Sequence, residues 1–69
     1  MNDKEKYYQA IKNFKGGLDE ITLGDAIGLD ENSTRKAISD LLLENKIEYD
    51  PNELCNYRIK KKLSKTINN

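Results

Sequence analysis

The sequence predicts a small α+β domain, mainly α, in which three helices are followed by a C-terminal β-hairpin. Three observations carry this expectation. Apolar residues recur at helical spacing in three segments that Gly16-Gly17 and Gly28 separate and Asn45 closes. Beyond Asn45, two short stretches alternate with period two around Asp50-Pro51-Asn52. A chain of 69 residues makes one domain with a small core, because at this size only about 60% of the unfolded surface is buried.

The first helix has Asn2 or Asp3 as its N-cap and places Tyr7, Tyr8, Ile11 and Phe14 on one face before Gly16-Gly17 ends it. The second spans Leu18 to Ile27, with Asp19 as cap and Leu23 and Ile27 one turn apart. Gly28 suits a left-handed turn position, and Leu29 is the apolar residue that follows it. Gly24 lies inside this helix, where it costs about 1 kcal/mol against Ala. A second helix crossing closely at that point is the expected reason.

The third helix runs from Asp30 or Asn32 to Glu44. Thr34, Ile38 and Leu41 form its buried stripe, with Ala37 and Leu42 at the rim. At about 100° per residue the opposite face collects Asn32, Lys36, Ser39, Asp40 and Leu43, with Arg35 on the flank. Asn45 tolerates a left-handed conformation and stops the helix. In the hairpin, Ile47-Glu48-Tyr49-Asp50 pairs with the segment from Cys55 to Lys60. Ile47, Tyr49, Tyr57 and Ile59 are expected to point inward; Glu48, Asn56, Arg58 and Lys60 point outward. Leu18 is a candidate for a short third strand. The expected core is Leu23, Ile27, Leu29, Ile38, Leu41, Ile47 and Ile59. The domain is placed at residues 1–62, with residues 63–69 as a flexible basic and polar tail.

Composition excludes several classes of function. Leu, Ile, Val and Phe make up sixteen of the 69 residues, just above the level at which a charged chain stays unfolded. There is no His and a single Cys, so a His general base, a Cys-His pair, a zinc cluster and an internal disulfide are absent by count. Neither an enzyme nor a cofactor is expected. Cys55 reads as a small strand residue rather than a redox group. No apolar run approaches a membrane span, and the first ten residues lack the apolar core of a signal peptide. A cytoplasmic protein without membrane contact is expected. The net charge is zero but divided: residues 1–34 hold four Lys against seven acids, and residues 35–69 hold eight Lys and Arg against five acids. Such asymmetry points toward nucleic acid at the C-terminal half.

Gly24, Gly28, Leu29 and Asp30 stand in the order small residue, turn glycine, apolar residue and cap. Ser33, Thr34, Arg35, Lys36, Ala37, Ile38 and Leu41 follow as the third helix, and Asn45 and Ile47 lead into the hairpin. Together, over residues 4–60, this pattern resembles the winged helix-turn-helix DNA-binding domain family. The resemblance implies a three-helix fold with a C-terminal β-hairpin wing. It also implies a sequence-specific DNA-binding protein, a small transcriptional regulator whose third helix enters the major groove while the wing lies on the backbone. Asn32, Ser33, Arg35, Lys36 and Ser39 stand where base and phosphate contacts are made, and Arg58 and Lys60 where the wing holds the backbone. Arg suits guanine as a bidentate donor, and Asn suits adenine. The implied partner is double-stranded DNA. A homodimer joined through the first helix, using Tyr8 and Leu43, is a further candidate, and no small-molecule effector is expected.

The sequence departs from the family pattern at Thr34, where Val or Ile is usual, and in the wing, where Glu48, Asp50 and Glu53 are acidic. Carboxylates at a wing tip repel phosphate. The alternative reading is therefore a winged helix that binds another protein instead of DNA.

Overall fold

The computed structural model describes residues 2–15 and 17–60. Three helices, α1 (Asp3–Phe14), α2 (Glu20–Ala26) and α3 (Glu31–Leu43), precede two strands, β1 (Ile47–Tyr49) and β2 (Tyr57–Ile59). The layout is the expected one, a small and mainly helical body followed by an antiparallel hairpin. None of these helices is long and apolar enough to cross a membrane. The expected tail at residues 63–69 lies outside the described residues.

Each helix starts on a side-chain oxygen that takes an otherwise unpaired amide. Asn2 accepts from the Glu5 N–H at 2.8 Å, Asp19 from Thr22 at 2.8 Å and Asp30 from Ser33 at 2.7 Å. Asn2 and Asp30 are thus the caps of α1 and α3. The helix ends turn through left-handed residues. Gly28 (φ 87°) and Asn45 (φ 59°) do so as expected, whereas α1 stops one residue before its glycine pair, at Lys15 (φ 51°).

The core is built where α1 lies on α3 and the shorter α2 leans on both. Tyr7, Leu23, Leu41, Thr34 and Cys55 are its most deeply buried side chains, joined by Ala10, Ile11, Leu29, Ala37, Ile38 and Ile47. The Tyr7 hydroxyl donates to the Glu20 carbonyl at 3.0 Å, which ties α1 to the start of α2. At Gly24 the two helices of the turn touch: a Cβ on this residue would lie 1.9 Å from Thr34 Oγ1 and 2.9 Å from Thr34 Cβ. Thr34 is fully buried. Its hydroxyl has no hydrogen-bond partner among the described residues, so shape holds this residue in place.

Several expectations about the core are corrected. Ala10, rather than Phe14, completes the buried face of α1, and Phe14 at the helix end is 44% exposed. Ile27 and Ile59 are half-buried, packing against the edge of the core. Tyr49 is 65% exposed. The strands are three residues long and pair Ile47 with Ile59, Glu48 with Arg58 and Tyr49 with Tyr57. Ile47 is buried and Ile59 and Tyr57 pack against the core, whereas Tyr49 packs edge-on against Tyr57, with ring centroids 6.1 Å apart. Cys55 falls in the loop before β2 rather than in the strand, fully buried, with its thiol 3.1 Å from the Tyr57 carbonyl. Leu18 packs against the core but adds no strand; the described sheet has two.

Candidate nucleic-acid interface

The burial of one side of α3 determines what the other side presents. Thr34, Ala37, Ile38 and Leu41 are buried, so the helix cannot rotate about its axis without exposing them. Asn32, Arg35, Lys36 and Ser39 are consequently exposed, and Ser33 is half-buried beside the Asp30 cap. The helix stands between two clefts. One, of about 450 Å³, separates its Ser33, Lys36 and Asp40 side from the start of α1 at Asn2–Lys4. The other, of about 250 Å³, lies between Arg35, Ser39 and Leu42 on α3 and Glu20 and Tyr57 across from it. The structure therefore leaves Asn32, Arg35, Lys36 and Ser39 exposed on one side of α3, with Ser33 half-buried near them.

Arg58 and Lys60 belong to a separate group. Arg58 borders a groove of about 250 Å³ whose floor is Ile11, Tyr57 and Ile59 and whose rim includes Lys12 and Lys15 of α1. Lys60 sits at the open end of the hairpin, where its N–H donates to the Lys46 carbonyl at 3.0 Å. Its ammonium is 3.5 Å from the Asn45 amide oxygen, next to the end of α3. The approach of Lys12 and Lys15 to Arg58 was not foreseen from sequence. It depends on how α1 crosses β2, for which no local pattern exists.

The electrostatics temper the charge expected from counting. Arg35 binds Glu31 through both Nε and an η nitrogen, at 3.0 and 2.7 Å, and Lys36 lies 3.2 Å from Asp40. On the hairpin, Arg58 pairs with Glu48 at 2.6 Å and approaches Asp50 at 3.7 Å. Lys4 and Lys46 share Glu44, at 2.6 and 3.6 Å. The hydrogen bonds that Arg35 donates to Glu31 and Arg58 to Glu48 raise the pKa values of both guanidinium groups, while that donated by Lys4 lowers the pKa of Glu44. The Arg35–Glu31 and Lys36–Asp40 pairs are solvent-exposed and therefore weak. Over the whole chain twelve Lys and Arg balance twelve Asp and Glu.

Comparison with known proteins gives no relative from which to transfer a role: no family model, curated protein or solved structure matches the chain.

Proposed function

We propose that this chain is a small winged-helix protein that binds duplex DNA through α3 and acts as a transcriptional regulator. The observation that carries the reading is the exposed face of α3: a capped helix with Asn32, Arg35, Lys36 and Ser39 open to solvent along it. An α-helix fits the major groove only if neighbouring elements stand back from it, and these side chains carry the donors and acceptors that read base edges. Arg35 is the residue with the geometry to read guanine, once it exchanges Glu31 for the base. The test is selection from a randomised duplex pool at low salt, followed by sequencing. The wild-type chain is expected to enrich a motif, and Arg35→Ala to lose preference at one position with an affinity loss of about 1–3 kcal/mol. Recovery of no motif removes the reading.

A second reading, a protein-interaction module, is favoured by the net charge of zero and by the acidic residues Glu48, Asp50 and Glu53 of the hairpin. It is also favoured by Leu43 and Tyr49, which are 80% and 65% exposed. Apolar side chains this exposed, beside neutralised cations, suit a protein surface better than a phosphate backbone.

A further inference from the structure

We infer that the outer edge of β2 and the end of α1 form a docking groove for an extended acidic peptide of another protein, which joins the sheet as a third strand. None of the residues lining this groove belongs to α3, so the inference stands apart from the DNA reading. Three consecutive residues, Tyr57, Arg58 and Ile59, all line it. Successive side chains of a strand point to opposite faces, so a groove that meets all three runs along the edge of the strand. Ile11, Lys12 and Lys15 of α1 form the facing wall.

The backbone along that edge is open. In the hairpin the Asp50 N–H donates to the Asn56 carbonyl at 2.8 Å and the Lys60 N–H to the Lys46 carbonyl at 3.0 Å. Bonded and unbonded positions alternate along an antiparallel pair, so in this register Tyr57 and Ile59 turn their backbone polar groups away from β1. The Tyr57 carbonyl takes the Cys55 thiol. The N–H groups of Tyr57 and Ile59 and the Ile59 carbonyl have no hydrogen-bond partner among the described residues. Leu18, the residue expected to supply a third strand, packs on the core without pairing. An unpaired edge beside an apolar floor is how sheets accept extended peptides: main-chain bonds give affinity, and alternate side chains enter the groove.

Size and charge select the occupant. At about 250 Å³ the groove is smaller than the roughly 300–1,000 Å³ of pockets that enclose a whole small molecule, and it suits an apolar side chain of a peptide. Lys4, Arg35, Lys36 and Lys46 each pair with a carboxylate. Lys12 and Lys15 pair with none among the described residues, and Lys12 lies over the Tyr8 ring at 5.8 Å. With Arg58 they outnumber Glu53, the one acid of the lining. A second copy paired edge to edge through β2 sets these cations against their own counterparts. The residues after Lys60, with three lysines and no acid, are no better matched. An acidic strand is the complement.

The experiment adds a synthetic six-residue peptide of alternating glutamate and valine to the full isotopically labelled chain and follows amide shifts and amide hydrogen exchange. The same peptide with lysine in place of glutamate is the control. The glutamate peptide should slow exchange at the Tyr57 and Ile59 amides and shift those of Lys12 and Lys15, and the lysine peptide should do neither. Both lysines are exposed, and circular dichroism melts confirm that their variants fold. K12Q/K15Q should weaken the glutamate peptide about two- to twentyfold, the loss of two exposed ion pairs, and K12E/K15E should prefer the lysine peptide. Equal binding of both peptides by the wild type, unchanged preference in K12E/K15E, or no slowing of exchange at any peptide concentration overturns the inference. So does slow exchange at Tyr57 and Ile59 in the free chain: if it fades on dilution a second copy covers the edge, and if it persists the chain covers its own.

Discussion

Gly24→Ala is a change whose sign depends on the closeness of two helices. In an exposed helix interior this substitution stabilises by up to about 1 kcal/mol, because Ala has the better propensity. Here the new methyl would stand 1.9 Å from Thr34 Oγ1 and 2.9 Å from both Cβ and Cγ2 of the same residue. Rotating Thr34 moves the hydroxyl but leaves its Cβ in place, so the helices must separate. Leu23 and Leu29, buried on either side of the contact, would then lose packing. Overpacking of this kind costs about 1–3 kcal/mol, which outweighs or cancels the gain in propensity. A net loss of about 0–2 kcal/mol corresponds to a Tm unchanged or lowered by up to roughly 15 °C in a domain of this size. Thermal melts by circular dichroism, with urea titrations beside them, read the effect. The double variant Gly24→Ala with Thr34→Ala should recover part of the loss, since Oγ1 and Cγ2 are gone but the Cβ contact at 2.9 Å remains. A Gly24→Ala protein with a raised Tm would show that α2 and α3 do not cross this closely.

Asp30→Ala should lower Tm by roughly 5 °C through loss of the α3 cap, whereas Asp30→Asn, which still caps, should change it little. The amides that Asp19 and Asp30 accept from hold both carboxyls below their ordinary pKa. Their contribution is therefore present above about pH 4, the unfolded value, and is lost as pH falls through the lower folded values. Asp30→Asn should flatten that acid limb in a series of melts, and an unchanged limb would count against the cap. Glu48→Gln should leave stability nearly unchanged, since the Arg58 pair is exposed. It should nevertheless tighten duplex binding about eightfold at 0.1 M salt and steepen the salt slope by about 0.9, by freeing Arg58 for a phosphate. No change in either would mean that Arg58 does not meet DNA.

The helices and their punctuation were legible because each rests on a local cause. Asp19 and Asp30 cap, Gly28 and Asn45 take left-handed conformations, and Thr34, Ile38 and Leu41 share a face, all within a few residues of chain. Gly24 was legible as a crossing point, but its partner was not, because Thr34 lies ten positions away and reads as a polar anomaly in the stripe. The errors fall where tertiary packing decides. Tyr49 alternates correctly for an inward position, yet the body does not extend far enough to cover it. Cys55 fills the core from a loop rather than from a strand. At the candidate site, exposure of Asn32, Arg35, Lys36 and Ser39 followed from helical period alone. Counting charges could not reveal that Glu31, Asp40 and Glu48 occupy the cations, since an ion pair depends on rotamers and, for Glu48 and Arg58, on strand register.

Backbone amide shifts of isotopically labelled protein, recorded while an unlabelled duplex is added at low salt, test most directly whether α3 meets DNA. The expected result is that the largest changes fall on Asn32, Ser33, Arg35, Lys36 and Ser39, with smaller ones on Arg58 and Lys60. Changes confined to the exposed faces of α1 and α2, or no change at any duplex concentration, would contradict it.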